Sequence, residues 1–388
     1  MDSGKIIETL VDRPLYKEDR KYLVNREKEL GKIELLAKYQ PFGIYGVCGE
    51  TGIGKTTVLN MLNFKGMKVL MVTLTQRDNK DTILYDLLYS LSDLLAGDDD
   101  SELSEFSQTT RSWIVEEVSM IKAFSLGVSL FAKADGMIQN QKKPRYNIFS
   151  ARERLSQLLN LTKKAYGKVL LIIDELDKEE KKDVINVLDS LKVELQQEHL
   201  VTFFSLPYSI YREYRQDRMR WNDSGNLENI IKDVVFLREI KRSEVREVLL
   251  RRLGKLSSWF ESGAVEEIVR FSDGNPRDAL WIAQKVVFDN FDLKKLSEKA
   301  CGKSIKKIVN EYMGAISLTD IQRKALVSVK ELSGSRDEII DAFVDESIKR
   351  TTAYSTFKRL VTLGLIIERD GQFVVSGKAR AFINDHSI

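Results

Sequence analysis

The sequence predicts an α/β protein: a parallel-sheet base, then a helical domain, then a small C-terminal domain of helices and a hairpin. Three observations predict it. Short apolar runs alternate with helical patterns up to residue 238, the mark of parallel βαβ units. Strand signals fade between residues 239 and 315. Residues 316–388 carry three helical patterns and then Asp370-Gly371 between alternating apolar residues, a strong hairpin signal. At 388 residues the chain is too long for one ordinary core.

Composition narrows the function classes. Hydrophobic residues make up 43% and charged residues 31%, a globular balance that excludes wholesale disorder. The 61 Lys and Arg against 58 Asp and Glu leave a net charge of +3, so any nucleic-acid surface must be local. Cys48 and Cys301 lie far apart, which excludes a disulfide framework or cysteine cage and fits a reducing cytoplasm. His199 and His386 are equally isolated, against a zinc site. No apolar run reaches the roughly 20 residues that span a bilayer. The first residues lack the basic and apolar regions of a signal peptide.

In chain order, residues 1–24 are polar and broken by Pro14, an N-terminal arm expected to lie on the first domain. The base spans 25–238. Asn25-Arg26-Glu27 opens a helix with Leu30, Ile33, Leu35 and Leu36 as its apolar side, ending near Pro41. Phe42–Val47 is a buried strand, followed by a glycine loop and a helix through Leu62. Lys68–Leu74 is a second strand. Residues 76–166 are mostly helical, interrupted by the acidic turn Asp98–Asp100. Within them Phe124–Ala132 alternates like a hairpin but also suits a buried helix. Lys168–Glu175 is the clearest strand, and residues 179–198 a helix. Leu200–Leu206, stopped by Pro207, and Val234–Leu237 complete the sheet. The helical domain spans 239–315, with helices at 243–253, 262–271, 276–289 and 294–312. The last domain, 316–388, has helices at 318–331, 335–346 and 351–363 before its hairpin, the plan of a winged helix.

Gly49-Glu50-Thr51-Gly52-Ile53-Gly54-Lys55-Thr56 matches the phosphate-binding pattern G-x-x-x-x-G-K-T in full, after a strand and before a helix. Glycines let the loop fold so that successive amides face an anion, and the helix after it turns its positive end the same way. These eight residues, with Thr57, would hold a nucleotide: Lys55 on the β- and γ-phosphates, Thr56 on Mg²⁺. The strand Lys168–Glu175 carries Asp174 to its carboxyl end, where it would orient Mg²⁺. Glu175 would polarise the water that attacks the γ-phosphate. An intact Asp-Glu pair argues for ATP hydrolysis to ADP. Ser205, ending the next strand, would orient that water; an ordinary strand-end serine is the alternative. Arg277, in Gly274-Asn275-Pro276-Arg277-Asp278-Ala279-Leu280, would sense the γ-phosphate; a solvated helix-start arginine is the alternative.

In this order, Asn25-Arg26-Glu27, phosphate loop, Asp174-Glu175, Ser205 and Arg277 together resemble the AAA+ superfamily of P-loop ATPases. Within it the chain resembles most the archaeal origin-recognition (Orc/Cdc-type) replication initiators, over nearly its whole length. That resemblance implies an AAA+ base, a helical lid and a winged helix acting as a slow, ATP-driven switch on DNA. It also implies a helical insertion at the place of residues 76–166, and an arginine finger sought within Tyr211–Arg220. Asn25–Leu30 is also typical of archaeal signalling (STAND-type) ATPases, in which the winged helix would contact a protein. A helper ATPase for DNA transposition is a third alternative.

In the third C-terminal helix, Thr352, Ser355, Arg359 and Thr362 fall on one face. Tyr354, Phe357, Leu360 and Val361 fall on the other and pack inward, and Gly364 closes the helix in a left-handed cap. Lys349, Arg350 and Lys358 adjoin the outward face, and Ser347–Ile367 contains no acidic residue. Such a face suits phosphate and base-edge contacts with duplex DNA, with Arg369 near the hairpin tip reaching a phosphate. Contact with a protein is the alternative. The expected partners are duplex DNA, a second copy of the chain on DNA, and an unidentified protein, with no membrane.

Overall fold

The computed structural model describes residues 3–75, 79–131, 146–219, 227–369 and 371–385. The chain divides into two compact units. Residues 14–20 and 26–238 form the sheet unit. Residues 1–13, 21–25 and 239–388 form the helical unit.

The sheet unit has five parallel strands: β1 (Gly43–Cys48), β2 (Lys68–Thr73), β3 (Val169–Asp174), β4 (Leu200–Leu206) and β5 (Ile231–Phe236). Their order is β2-β3-β4-β1-β5. Strands β1, β3 and β4 are buried at every residue, which is why they read as unbroken apolar runs. Helices Glu27–Tyr39, Lys80–Leu95, Ser101–Phe131, Ile148–Tyr166, Lys181–Leu195 and Tyr208–Arg218 surround the sheet in sequence. Phe124–Phe131 belongs to the long helix rather than to a hairpin, its α period winning over the short β-like alternation; Ala132 lies outside the described residues. The acidic turn is anchored rather than merely solvated. Asp98 accepts hydrogen bonds from Lys68 Nζ (2.5 Å) and the Tyr166 hydroxyl (2.6 Å).

The helical unit has one continuous apolar core running from Ile240 to Ile383. Helices Arg242–Leu253, Ser262–Phe271, Pro276–Asp289 and Glu298–Gly314 share it with Asp320–Ser328, Arg336–Asp345 and Arg350–Thr362. A three-stranded antiparallel sheet follows: β6 (Ser333–Gly334), β7 (Ile366–Arg369) and β8 (Gln372–Val375), in the order β6-β8-β7. Of the hairpin turn, Asp370 lies outside the described residues. A last helix, Gly377–Asp385, closes the unit. Asp273 is a polar tie in this core. It accepts from Arg369 Nη2 (2.8 Å) and from the Gly377 amide (2.6 Å).

The N-terminal arm is split between the units instead of lying on the sheet unit as a whole. Helix Ser3–Thr9 and residues to Arg13 belong with the helical unit, where Ile6 and Leu10 are fully buried. Pro14–Arg20 belongs with the sheet unit.

Candidate nucleotide site

The register of the parallel strands gathers the site. Val47 pairs with Ser205 across β1 and β4, Ile173 pairs with Phe204 across β3 and β4, and Thr73 pairs with Asp174. Asp174 and Ser205 therefore end at the same level as the loop that leaves β1. That level is the carboxyl edge of the sheet, where open α/β sheets bind ligands.

The loop is shaped by close approach and left-handed backbone. Gly54 sits at φ 100°, a conformation that side-chain-bearing residues rarely adopt. Gly49 is buried, and a Cβ there would lie 2.7 Å from the Leu237 carbonyl oxygen. Arg26 braces the loop from beneath. Only 5% exposed, it donates to the Ile53 carbonyl (3.1 Å) and the Arg238 carbonyl (2.8 Å), and pairs with Glu29 (3.0 Å). Leu15 of the arm donates its amide to Thr57 Oγ1 (3.2 Å). The helix after the loop runs only from Lys55 to Asn60, so its dipole is small and the loop amides with Lys55 carry the attraction for an anion.

Lys55 is nearly buried, and its ammonium donates to the Gly49 and Glu50 carbonyls, 2.7 Å each. Its third contact is Asp177 Oδ2, at 2.9 Å. Asp174 is 2% exposed, and its Oδ1 has no hydrogen-bond partner among the described residues. A buried carboxylate oxygen left this way suits a cation or its water shell, which a carboxylate and a threonine hydroxyl hold in Mg²⁺ sites. Asp174 and Thr56 therefore fit that ion.

Glu175 adopts φ 66°, unusual for a residue with a side chain, and starts the 3-10 turn Leu176–Lys178. Its carboxylate is half-exposed and paired with Lys178 at 2.7 Å. Ser205 is fully buried, with its hydroxyl 3.5 Å from Asp177 Oδ1. Burial pushes the Cys48 thiol up, against the pull of Lys55 and with a further push from Asp177, so the sulfur beneath the loop stays protonated.

The structure thus brings the loop, Lys55, Asp174 and Ser205 to one sheet edge, with Glu175 in the turn that follows. Two residues of this unit gain roles that the sequence pattern had not assigned. Asp177 is the third acid of Asp174-Glu175-Leu176-Asp177, and its place in the chain is the one signal the sequence holds for it. Arg26 stands in the motif Asn25-Arg26-Glu27, which marks a helix start and does not reveal a brace.

Arg277 lies in the helical unit, described on its own. Pro276 opens its helix and Asn275 caps it, accepting from the Arg277 amide (3.0 Å). The guanidinium pairs with Asp12 (2.7 Å). In the helix Arg350–Thr362, Ala353, Thr356, Phe357 and Leu360 are buried, while Tyr354 and Val361 are partly so. Lys349, Arg350, Ser355, Lys358, Arg359 and Thr362 are exposed and Thr352 partly exposed. Gly364 at φ 66° ends the helix, with the Leu365 amide donating to the Leu360 carbonyl (3.0 Å). Arg350 pairs with Asp341 (3.0 Å). Arg369 is bound to Asp273 in the interior of the unit, so its guanidinium is not free at the hairpin tip. Helix Tyr208–Arg218 carries most of the basic stretch searched for an arginine finger; Arg220 lies outside the described residues.

No protein-family model matches the sequence. No curated protein sequence matches it. Among solved structures, a Walker-type ATPase of Pyrococcus abyssi, PABY2304, is similar over 97% of this chain and 99% of its own, with 14% identity and a TM-score of 0.56. The RuvB Holliday-junction branch-migration motor of Thermotoga maritima aligns over 97% of this chain and 98% of its own, with 13% identity and a TM-score of 0.42. Among the described residues no helix is long and apolar enough to cross a membrane. In its sheet order, its glycine loop and the lysine that follows, the chain has a P-loop α/β fold similar to that of the Walker-type ATPase.

Proposed function

We propose that the chain binds and hydrolyses ATP and acts as a DNA-binding switch of the replication-initiator type. The observation that carries the nucleotide half is the set of Lys55, Asp174 and Ser205 at one sheet edge, below a loop built for phosphate. Lys55 and the loop amides hold the β- and γ-phosphates, and Ser205 orients the attacking water. Glu175, in the turn past Asp174, takes that water's proton. Thr56 and Asp174 hold Mg²⁺, which when bound neutralises phosphate charge. Arg277 is proposed as the residue that registers the γ-phosphate.

The DNA half rests on the helix Arg350–Thr362. Its outward side presents Lys349, Ser355, Lys358, Arg359 and Thr362 to solvent, and neither Lys358 nor Arg359 is ion-paired among the described residues. Arg350 and Thr352 extend this face, and Arg369 is left out of it because Asp273 holds it. The test is a titration of duplex DNA across salt concentrations. Neutralised phosphates give a log-linear loss of affinity with salt. Arg359→Ala is expected to weaken binding about tenfold, lower the salt slope by about one and leave ATP hydrolysis intact. Affinity that ignores both salt and Arg359 gives this helix to a protein partner, as in a signalling ATPase. Salt-sensitive binding without sequence preference favours a transposition helper.

A further inference from the structure

The contacts of Lys55 contain a choice that the nucleotide reading does not explain. An ammonium has three protons to donate. Two go to the Gly49 and Glu50 carbonyls, which belong to the loop and move only with it. The third acceptor is Asp177 Oδ2 at 2.9 Å, an ionisable side chain from another strand's exit turn. Asp177 is there by construction. Glu175, at φ 66°, turns the chain back at the end of β3, and Leu176, fully buried, pins the 3-10 turn that carries Asp177. The other carboxylate oxygen of Asp177 faces the buried hydroxyl of Ser205 at 3.5 Å.

We propose that Asp177 is a placeholder for the γ-phosphate on Lys55. Its carboxylate supplies the third, anionic acceptor, and it gives up the lysine to a triphosphate while keeping Ser205 as a neighbour. This rests on the nucleotide site proposed above and adds a positioning residue to it. A diphosphate takes its proton on Lys55 from one of the loop carbonyls and leaves Asp177 in place, whereas a γ-phosphate takes the side that Asp177 holds and must compete with it. Asp177 thereby lowers the affinity for the triphosphate selectively, since a ligand's affinity is reduced by whatever fraction of the site is held in a competing arrangement. The same competition favours departure of the γ-phosphate after cleavage.

The test is a titration of the full chain with fluorescent ATPγS and fluorescent ADP, each with Mg²⁺. Asp177→Asn removes the charge and keeps the shape. It is expected to raise ATPγS affinity about tenfold and to leave ADP affinity within about twofold. Asp177→Ser, which also lacks the charge, is expected to shift the ratio in the same direction. Asp177→Glu restores the charge and is expected to return the ratio toward that of the unaltered chain. Thermal melting of each variant shows that it is folded before it is titrated. An unchanged ratio of the two affinities overturns the placeholder, as does an equal fall in both, which marks a merely structural role. Failure of the unaltered chain to bind either nucleotide overturns the nucleotide site itself, and the placeholder with it.

Discussion

Charged residues point inward at the sheet edge and outward on the helix Arg350–Thr362. Lys55, Asp174 and Asp177 are buried or nearly so, and one oxygen of Asp174 has no partner among the described residues. Lys349, Lys358 and Arg359 stand in solvent. Burying charge is costly unless it is paired, so at the sheet edge Lys55 and Asp177 offset each other while the unpartnered oxygen of Asp174 carries the cost. An exposed basic face costs little to keep, and the same face serves a solvated helix, a nucleic acid or a protein. The inward set narrows the function by geometry, while the outward set needs a solution measurement.

The two units also treat a buried aspartate in opposite ways. In the sheet unit, burial alone would raise Asp98, but hydrogen bonds from Lys68 and Tyr166 outweigh it and hold the carboxyl below its ordinary range. In the helical unit, burial of Asp273 outweighs Arg369 and the Gly377 amide, and its carboxyl is pushed up. Both tie distant parts of their unit together, yet their linkage to pH has opposite sign.

Four substitutions sharpen these contrasts. The largest stability effect is expected from Arg26→Ala, which strands Glu29 and the carbonyls of Ile53 and Arg238. It should cost the sheet unit about 3 kcal/mol in equilibrium unfolding and weaken nucleotide binding along with it. A neutral Arg26→Ala would break the claim that the loop is braced from beneath. Asp98→Asn comes next, at about 2 kcal/mol at neutral pH, as it uncouples Lys68 and Tyr166. Because the folded Asp98 carboxyl lies below its unfolded value of 3.8, its contribution is present above that value and lost as pH falls through the folded one. Asp273 has the reverse sign. Its contribution is present below 3.8 and lost as pH rises through the raised folded value, so Asp273→Asn should remove an acid-side gain from the helical unit. Unfolding curves recorded between about pH 3 and 7 read both slopes, and equal slopes in the two variants would erase the contrast. Arg359→Ala, with about 1.4 kcal/mol on DNA affinity and none on folding, is the smallest of the set.

The legible parts of the molecule are those with a local physical cause. Strands β1, β3 and β4 announce themselves because burial on both faces demands an unbroken apolar run. The phosphate loop shows in its spacing because glycine is needed where the backbone turns left-handed or passes close to Leu237. Asn275-Pro276 marks a helix start by capping alone. What stayed hidden depends on contacts distant in sequence. Asp177 meets Lys55 only because Glu175 adopts an uncommon backbone conformation that no spacing rule foretells. Arg369 looked like a free wing-tip arginine, since nothing local indicates that Asp273, 96 residues earlier, holds it. The arm divides between units because Ile6 and Leu10 find a core more than 200 residues away, a pairing that seven helical residues are too few to reveal.

The most direct test of the central claim, that this sheet edge hydrolyses ATP, is phosphate release by Glu175→Gln measured beside its ATP binding. The amide keeps the size of the side chain and its place in the turn but accepts no proton. ATP affinity is expected to stay within a few-fold of the unaltered chain while turnover falls by about a hundredfold or more. Undiminished phosphate release would contradict the account, since the proton would then be leaving by another route.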